Sequence, residues 1–102
     1  MRALIAGALI LMSASAYGAK GDVTHSPSGC DYFLVETPMG FALLEWYSGN
    51  TPARGDTIVG DYEEYGFKDI YNVSADAEVR VWVEEYWLDR EEGLEKLYEE
   101  CG

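Results

Sequence analysis

The sequence contains few cationic residues and few residues of the kinds that common catalytic sites need. Lys and Arg together number 7 against 19 Asp and Glu, and His25 is the only histidine. Such a chain cannot neutralise a phosphate backbone, so nucleic acid and anionic lipid are excluded as main partners. The chain also lacks the Gly-x-Ser-x-Gly and Ser-x-x-Lys patterns of serine nucleophiles. No motif predicts a catalytic residue, a cofactor or a metal site, and we expect a protein that is not an enzyme.

Cysteine is scarce as well, with only Cys30 and Cys101. Their separation excludes the Cys-x-x-Cys elements of redox and zinc sites. In an exported chain an even number of cysteines is expected to pair. We therefore predict one disulfide that closes a loop of about 70 residues, worth roughly 4 kcal/mol in the chain-entropy model.

The sequence has no apolar run of the about 20 residues that a membrane-spanning helix needs. The apolar and small residues from Ala3 to Met12 follow a basic start at Arg2 and precede small residues up to Ala19. This order is typical of a secretory signal peptide, which we predict at 1–19, with cleavage after Ala16 or after Gly18 both fitting the small-residue rule. We expect a periplasmic or extracellular protein with no membrane span after cleavage.

The expected mature chain is strongly acidic. Removing residues 1–19 takes away Arg2 and no acidic residue, which leaves 6 cations against 19 carboxylates, a formal charge of −13. This charge favours encounter with a basic partner, and it equally serves solubility.

Residues 20–29 are small and polar without periodicity, which predicts a flexible leader that includes His25. A leader cannot orient a histidine for a triad or a metal site. Residues 30–102 are then the single β-rich domain.

Two apolar and aromatic runs, 32–36 and 41–47, flank Thr37-Pro38-Met39-Gly40, which has turn composition. They predict an antiparallel hairpin in which residue 36 pairs with residue 41. The predicted core face carries no charge and consists of Phe33, Val35, Ala42, Leu44 and Trp46.

Further along, 57–62 and 67–73 predict a second hairpin in which Gly60 marks a bulge or bend. The run 78–87 alternates, with Val79, Val81 and Val83 on one face, and predicts a half-buried strand. Asp89 and Glu92 form a capping-box pattern before a terminal helix, whose buried stripe we expect to be Leu94, Leu97, Tyr98 and Cys101.

These elements predict a mostly β fold with one C-terminal helix. We expect about five strands in a small, curled antiparallel barrel of the OB or SH3 type. A flat sheet with the helix across one face is the alternative.

Aromatic content is the feature that exceeds structural need, because exposed Tyr and Trp are typical of recognition surfaces. Trp82 and Tyr86, at even spacing on the face opposite the valines, are the preferred candidates, with Tyr62 and Tyr65 beside them. Two short matches carry less weight. Arg54-Gly55-Asp56 is interpreted as a turn, and Asn72-Val73-Ser74 matches a glycosylation acceptor.

The sequence thus favours an exported, acidic interaction module of the cell envelope whose partner is a basic envelope protein or a glycan. One alternative is an inhibitor of a basic wall-degrading enzyme such as lysozyme. A small hydrolase that uses paired carboxylates, such as Glu36 with Glu45 or Asp61 with Glu63 and Glu64, is another. The last alternative is a structural component of the envelope that has no ligand.

Overall fold

The computed structural model describes residues 18–102, so the predicted signal peptide up to residue 17 lies outside the described residues. Six strands and one helix follow in order: β1 Ala19–His25, β2 Tyr32–Thr37, β3 Gly40–Gly49, β4 Thr57–Gly60, β5 Gly66–Asn72, β6 Ala77–Leu88 and α1 Arg90–Cys101. All neighbouring strands are antiparallel, and the sheet closes into a barrel in the order β1-β2-β3-β6-β5-β4. The mostly β fold with a C-terminal helix is confirmed, and the flat sheet is wrong.

The strand that was not among the five expected is β1, which lies in the segment that we expected to be a flexible leader. That expectation is wrong, because residues 19–22 pair with β4 and residues 22–25 pair with β2. The sequence signal is weak since Val23 is the only large apolar residue in this strand, where it packs into the core. Gly21 is buried, and a Cβ there would lie 2.6 Å from a methyl group of Val35. Close packing against β2 therefore requires a glycine at position 21, although glycine is also typical of loops.

The first hairpin is confirmed in its register. Glu36 pairs with Phe41, and Thr37 pairs with Gly40 across the turn. The predicted core face is also confirmed: Phe33, Val35, Ala42 and Leu44 are buried, and Trp46 packs against them. Val79, Val81 and Val83 of β6, the strand next to β3, continue this interior.

The second hairpin forms between β4 and β5, but it is shorter than predicted. Only Ile58 with Asn72 and Val59 with Tyr71 are paired. No register shift marks Gly60; instead a Cβ at Gly60 would lie 2.3 Å from Cγ2 of Ile70. Of the bulge or bend predicted at Gly60, the bulge is therefore wrong, and the glycine permits close approach between β4 and β5.

The chain between β4 and β5 is fastened to the barrel by two side chains. Tyr62 is buried in the interior core, and Lys68 of β5 pairs with Glu64 and, at 3.8 Å, with Asp61. These contacts hold the loop where the two strands separate.

A second core lies outside the barrel, under the helix. It consists of Leu34, Phe41, Leu43, Leu88 and Leu97. The outward residues of the first hairpin are thus apolar because α1 covers them. A Cβ at Gly93 would lie 3.2 Å from Leu34, so a glycine lets the helix lie close to the sheet.

The helix begins as predicted. The Asp89 side chain accepts from the Glu92 N–H at 2.8 Å, and the Glu92 side chain accepts from the Asp89 N–H at 3.1 Å. Leu97 is buried as expected, whereas Tyr98 is 58% exposed, so its assignment to the buried stripe is wrong. Tyr98 lies beyond the edge of the narrow strip that contacts the sheet.

The disulfide between Cys30 and Cys101 is confirmed, with the two Cα atoms 5.5 Å apart. It joins the end of the helix to the loop before β2. A single covalent bond therefore fixes α1 over the outer core.

Candidate binding surface

Four side chains form a row across the outside of the barrel. Tyr32 of β2 pairs with Glu45 of β3, Glu45 pairs with Trp82 of β6, and Trp82 pairs with Phe67 of β5. Side chains of directly paired residues lie on the same face of a sheet. We call Tyr32, Glu45, Trp82 and Phe67 the cross-strand row.

At the Phe67 end of the row, aromatic rings contact one another edge to face. Phe67 and Trp82 meet edge to face with centroids 4.9 Å apart, and Tyr47 meets Phe67 in the same way at 4.7 Å. Phe67 is 46% exposed and Tyr47 is 48% exposed. The Arg80 guanidinium lies 5.2 Å from the Phe67 centroid and is paired with Asp69 at 3.0 Å. Among the described residues, Arg80 is thus the cation recorded beside these rings, and Asp69 neutralises its charge.

The Tyr32 end of the row is negatively charged. Burial first, and then the carboxylates of Glu45, Glu100 and Glu84, together raise the pKa of Tyr32 to about 12. Two strands, β3 and β6, and the last turn of α1 thus place carboxylates around one phenol. A row that begins in carboxylates and ends in open aromatic rings is suited to a cationic partner surface.

A second group of aromatic residues lies at the C-terminal end of β6. Tyr86 meets Tyr65 at 4.8 Å and Trp87 at 5.3 Å between ring centroids. The Trp87 indole donates to Glu63 at 2.8 Å, and Trp87 is 59% exposed with φ of 59°. We call Tyr65, Tyr86 and Trp87 the Trp87 cluster.

The four predicted site residues therefore separate into three places. Trp82 lies in the cross-strand row, whereas Tyr65 and Tyr86 lie in the Trp87 cluster. Tyr62 is 1% exposed within the interior core, so its assignment to a surface is wrong.

The predicted pairing of Trp82 with Tyr86 on one face is also wrong. Leu44 pairs with Val83 while Leu43 pairs with Glu85, so β6 has one extra residue at this point. This bulge shifts the alternation of β6, and Tyr86 packs against the interior core instead.

Sequence reasoning missed Tyr32 and Phe67 as surface residues. Both were assigned to strands, but the register of β5 against β6 was not predicted, and that register is what places Phe67 beside Trp82. A search for aromatic residues on strand faces next to Trp82 would have found them only once the strand order was known.

Of the carboxylates considered for hydrolysis, Glu36 and Glu45 are not brought together, whereas Asp61 and Glu64 both contact the Lys68 ammonium group and are exposed to water. Glu36 pairs with Phe41 and Glu45 with Tyr32, so the two lie at opposite ends of one hairpin. Asp22 and Glu36 do line a surface groove with Lys20, but both carboxylates are exposed to water. This arrangement does not give two carboxyls the contrasting environments that acid and base roles require.

The two short motifs have structural roles. The Asp56 carboxylate accepts from the Ala53 N–H at 2.9 Å and from the Asn72 side chain at 2.9 Å, so the Arg-Gly-Asp tripeptide is a turn. Asn72 is fully buried and also donates to Asn50 at 2.8 Å. An amide enclosed in this way cannot accept a glycan in the folded protein.

No family model, curated protein or solved structure matches this chain. No helix within residues 18–102 is long and apolar enough to cross a membrane. The same residues hold no group of three or more His, Cys, Asp or Glu side chains placed to bind a metal ion.

Proposed function

We propose that this protein is an exported, non-enzymatic binding module that engages a basic protein through the cross-strand row. The observation that carries the proposal is the row itself, which places Trp82 and Phe67 on an open sheet face beside the carboxylate of Glu45. Trp and Tyr in such positions are typical hot spots of protein interfaces.

Charge favours a basic protein over a glycan as the partner. The expected mature chain has a formal charge of −13, and Arg80 beside the row is already paired with Asp69. A neutral glycan would gain nothing from this charge, and an anionic wall polymer would be repelled. A basic protein would gain both encounter rate and specificity from it.

Export is supported by the disulfide between Cys30 and Cys101, because disulfides persist mainly in oxidising compartments. The signal-like order of residues 1–19 points the same way.

The test is affinity capture from a cell-envelope extract with the oxidised protein, followed by mass spectrometry and reconstitution of each retained protein in purified form. We expect a basic protein that binds at 20 mM salt and is released at 500 mM salt. Trp82→Ala should weaken the purified complex about 30-fold, since a buried Trp anchor contributes roughly 2 kcal/mol.

Trp87→Ala is the matched control, because it removes the same residue type from the other aromatic cluster. Equal losses in the two variants would show non-specific aromatic adsorption and would contradict the proposal. Retention of oligosaccharides alone would support a glycan receptor in its place.

Inhibition of a wall-degrading enzyme is the concrete form of this function that the charge favours. Lysozyme is the probe, and cytochrome c, a basic protein without wall-degrading activity, is the charge control. Inhibition of lysozyme by micromolar protein, lost in Trp82→Ala, would establish it; no inhibition would remove this form and leave the general proposal to the capture experiment.

A further inference from the structure

A pocket of about 250 Å³ opens at the end of the barrel where the β1–β2 loop meets the β3–β4 loop. Its lining includes Ser26, Asp31, Phe33, Trp46, Thr51 and Pro52. We call it the end pocket. It is smaller than the roughly 300–1,000 Å³ of sites that enclose whole small ligands, so its size suits one side chain or a molecule of similar size.

The walls of the end pocket are held by hydrogen bonds among the two loops and β3. Ser26 Oγ donates to the Pro52 carbonyl at 3.1 Å, and the Trp46 backbone N–H donates to the Asp31 carbonyl at 2.7 Å. The Trp46 indole N–H donates to the Asn50 carbonyl at 3.0 Å, which fixes the ring. Cys30 also lines the pocket, and its bond to Cys101 anchors the first loop. The shape therefore exists before any ligand binds.

The polar groups of the end pocket offer acceptors. The Asp31 side chain is exposed and takes part in none of the ion pairs within residues 18–102. The Ser26 hydroxyl hydrogen is already given to Pro52, which leaves its oxygen lone pairs for a donor. Among the described residues that line the pocket, Asp31 is the only charged one.

The apolar part of the lining is aromatic. Trp46 and Phe33 form it together with Pro52. An indole attracts a cation over its face within about 6 Å, and a neighbouring carboxylate adds to that attraction. His25, which directly precedes Ser26, is not part of the lining; burial and then the positive charges of Arg90 and Arg54 lower its pKa.

From this combination we propose that the end pocket binds an alkylammonium or guanidinium group, with Asp31 as the anion and Trp46 as the aromatic wall. This inference builds on the proposed function, because the natural source of such a group would be a Lys or Arg side chain of the basic partner. The end pocket also lies next to the cross-strand row, since Asp31 directly precedes Tyr32 and Trp46 directly follows Glu45.

The experiment is an NMR titration of the isotopically labelled, oxidised protein with N-acetyl-lysine amide and N-acetyl-arginine amide. In both probes the side chain carries the only charge. N-acetyl-norleucine amide is the neutral control of similar shape. We expect saturable shifts of the Trp46 indole and of the Asp31 and Thr51 amides with the two cations, and none with norleucine amide.

Asp31→Asn should weaken binding of the cations about tenfold, because a hydrogen bond to a charged group is removed. Glu95→Gln, which removes an exposed carboxylate from the helix, is the matched control and should leave binding unchanged. Shifts that follow norleucine amide equally, or that persist in Asp31→Asn, would overturn the proposal.

Two further comparisons separate this site from the cross-strand row and identify the source of the cation. Trp82→Ala should leave binding of the small cations intact, so failure of the end pocket and failure of the proposed function give different results. Cadaverine represents free amines. Tighter binding of the lysine amide than of cadaverine supports a partner side chain, and the reverse order supports a free polyamine as the source of the bound group.

Discussion

At the scale of single residues, Tyr62 places a hydroxyl in the interior core. Its oxygen has no hydrogen-bond partner within residues 18–102. Burial raises the pKa of the Tyr62 phenol, so the group stays neutral well above its usual range. An unpaired buried hydroxyl costs about 1–3 kcal/mol of folding free energy.

Tyr62→Phe is therefore expected to stabilise the protein by about 1 kcal/mol, which raises Tm by about 4–8 °C in a domain of this size. Thermal unfolding followed by circular dichroism measures the change. Tyr65→Phe removes an exposed hydroxyl and should leave Tm unchanged. A lower Tm in Tyr62→Phe would mean that the hydroxyl has a partner in solution.

His25 is the only histidine, so its titration can be followed without assignment of other histidines. Burial lowers its pKa, and the charges of Arg90 and Arg54 lower it further. The folded state thus favours the neutral ring. The associated stability is present above the unfolded pKa of about 6.5 and is lost as pH falls through the lower folded value.

We expect the ring proton signals of His25 to titrate below pH 6.5 in NMR spectra. Arg90→Gln should move the midpoint upward by removing a nearby positive charge. Arg80→Gln, which removes a cation that does not act on His25, should not move it. A midpoint at or above 6.5 in the unmodified protein would contradict this account.

Residue roles were predictable where one strand or one helix determines them. The capping box of Asp89 with Glu92 and the inward valines of β6 depend on local spacing alone, and both are confirmed. The positions of Tyr62, Tyr86 and Phe67 depend on a loop that folds inward, on a bulge and on the register of β5 against β6. Single-sequence periodicity carries none of that information.

At the scale of elements, the seam between β4 and β5 depends on Gly60. Its missing side chain lets Ile70 occupy the space where a Cβ would lie, only 2.3 Å from Cγ2. Ile70 is part of the interior core, so it has no room to withdraw.

Gly60→Ala is expected to destabilise the protein by about 2 kcal/mol through overpacking, measured by urea unfolding. The cost should fall in an Ile70→Ala background, where Cγ2 is absent, but it should not vanish, because Cβ of residue 70 would still lie 2.8 Å from the added methyl group. An unchanged cost in that background would show that Gly60 is required for another reason.

Elements were predictable where apolar alternation is strong. The first hairpin was predicted to its exact register, because uncharged and charged positions alternate across a recognisable turn. β1 escaped prediction because its close contacts with β2 and β4 select Gly and polar residues, which also make up loops. Its role is determined by its neighbours more than by its own composition.

At the scale of the whole molecule, repulsion among carboxylates opposes compaction. With the residues of the predicted signal removed, cations number 6 and carboxylates 19. The screening length falls from about 30 Å at 10 mM salt to about 8 Å at 150 mM, which is shorter than the barrel's dimensions. Salt should therefore relieve most of the long-range repulsion.

We expect Tm to rise by several degrees between 10 mM and 150 mM NaCl at pH 7, the size of change that about 1 kcal/mol produces. Near pH 4 many carboxylates are protonated, so the same salt increment should have a smaller effect. An equal effect at both pH values would attribute it to general salt action on the solvent.

The pairing of β1 with both β2 and β4 has a consequence for how the protein is made. A polypeptide that emerges N-terminus first, from a ribosome or a translocation pore, delivers β1, β2 and β3 as a sheet with two open edges. Its final partners, β4 and β6, emerge only later. Until then the nascent chain carries unpaired edges of the kind that invite association with other chains. The barrel can therefore close only after β6 has emerged, and strand edges stay unpaired during that interval.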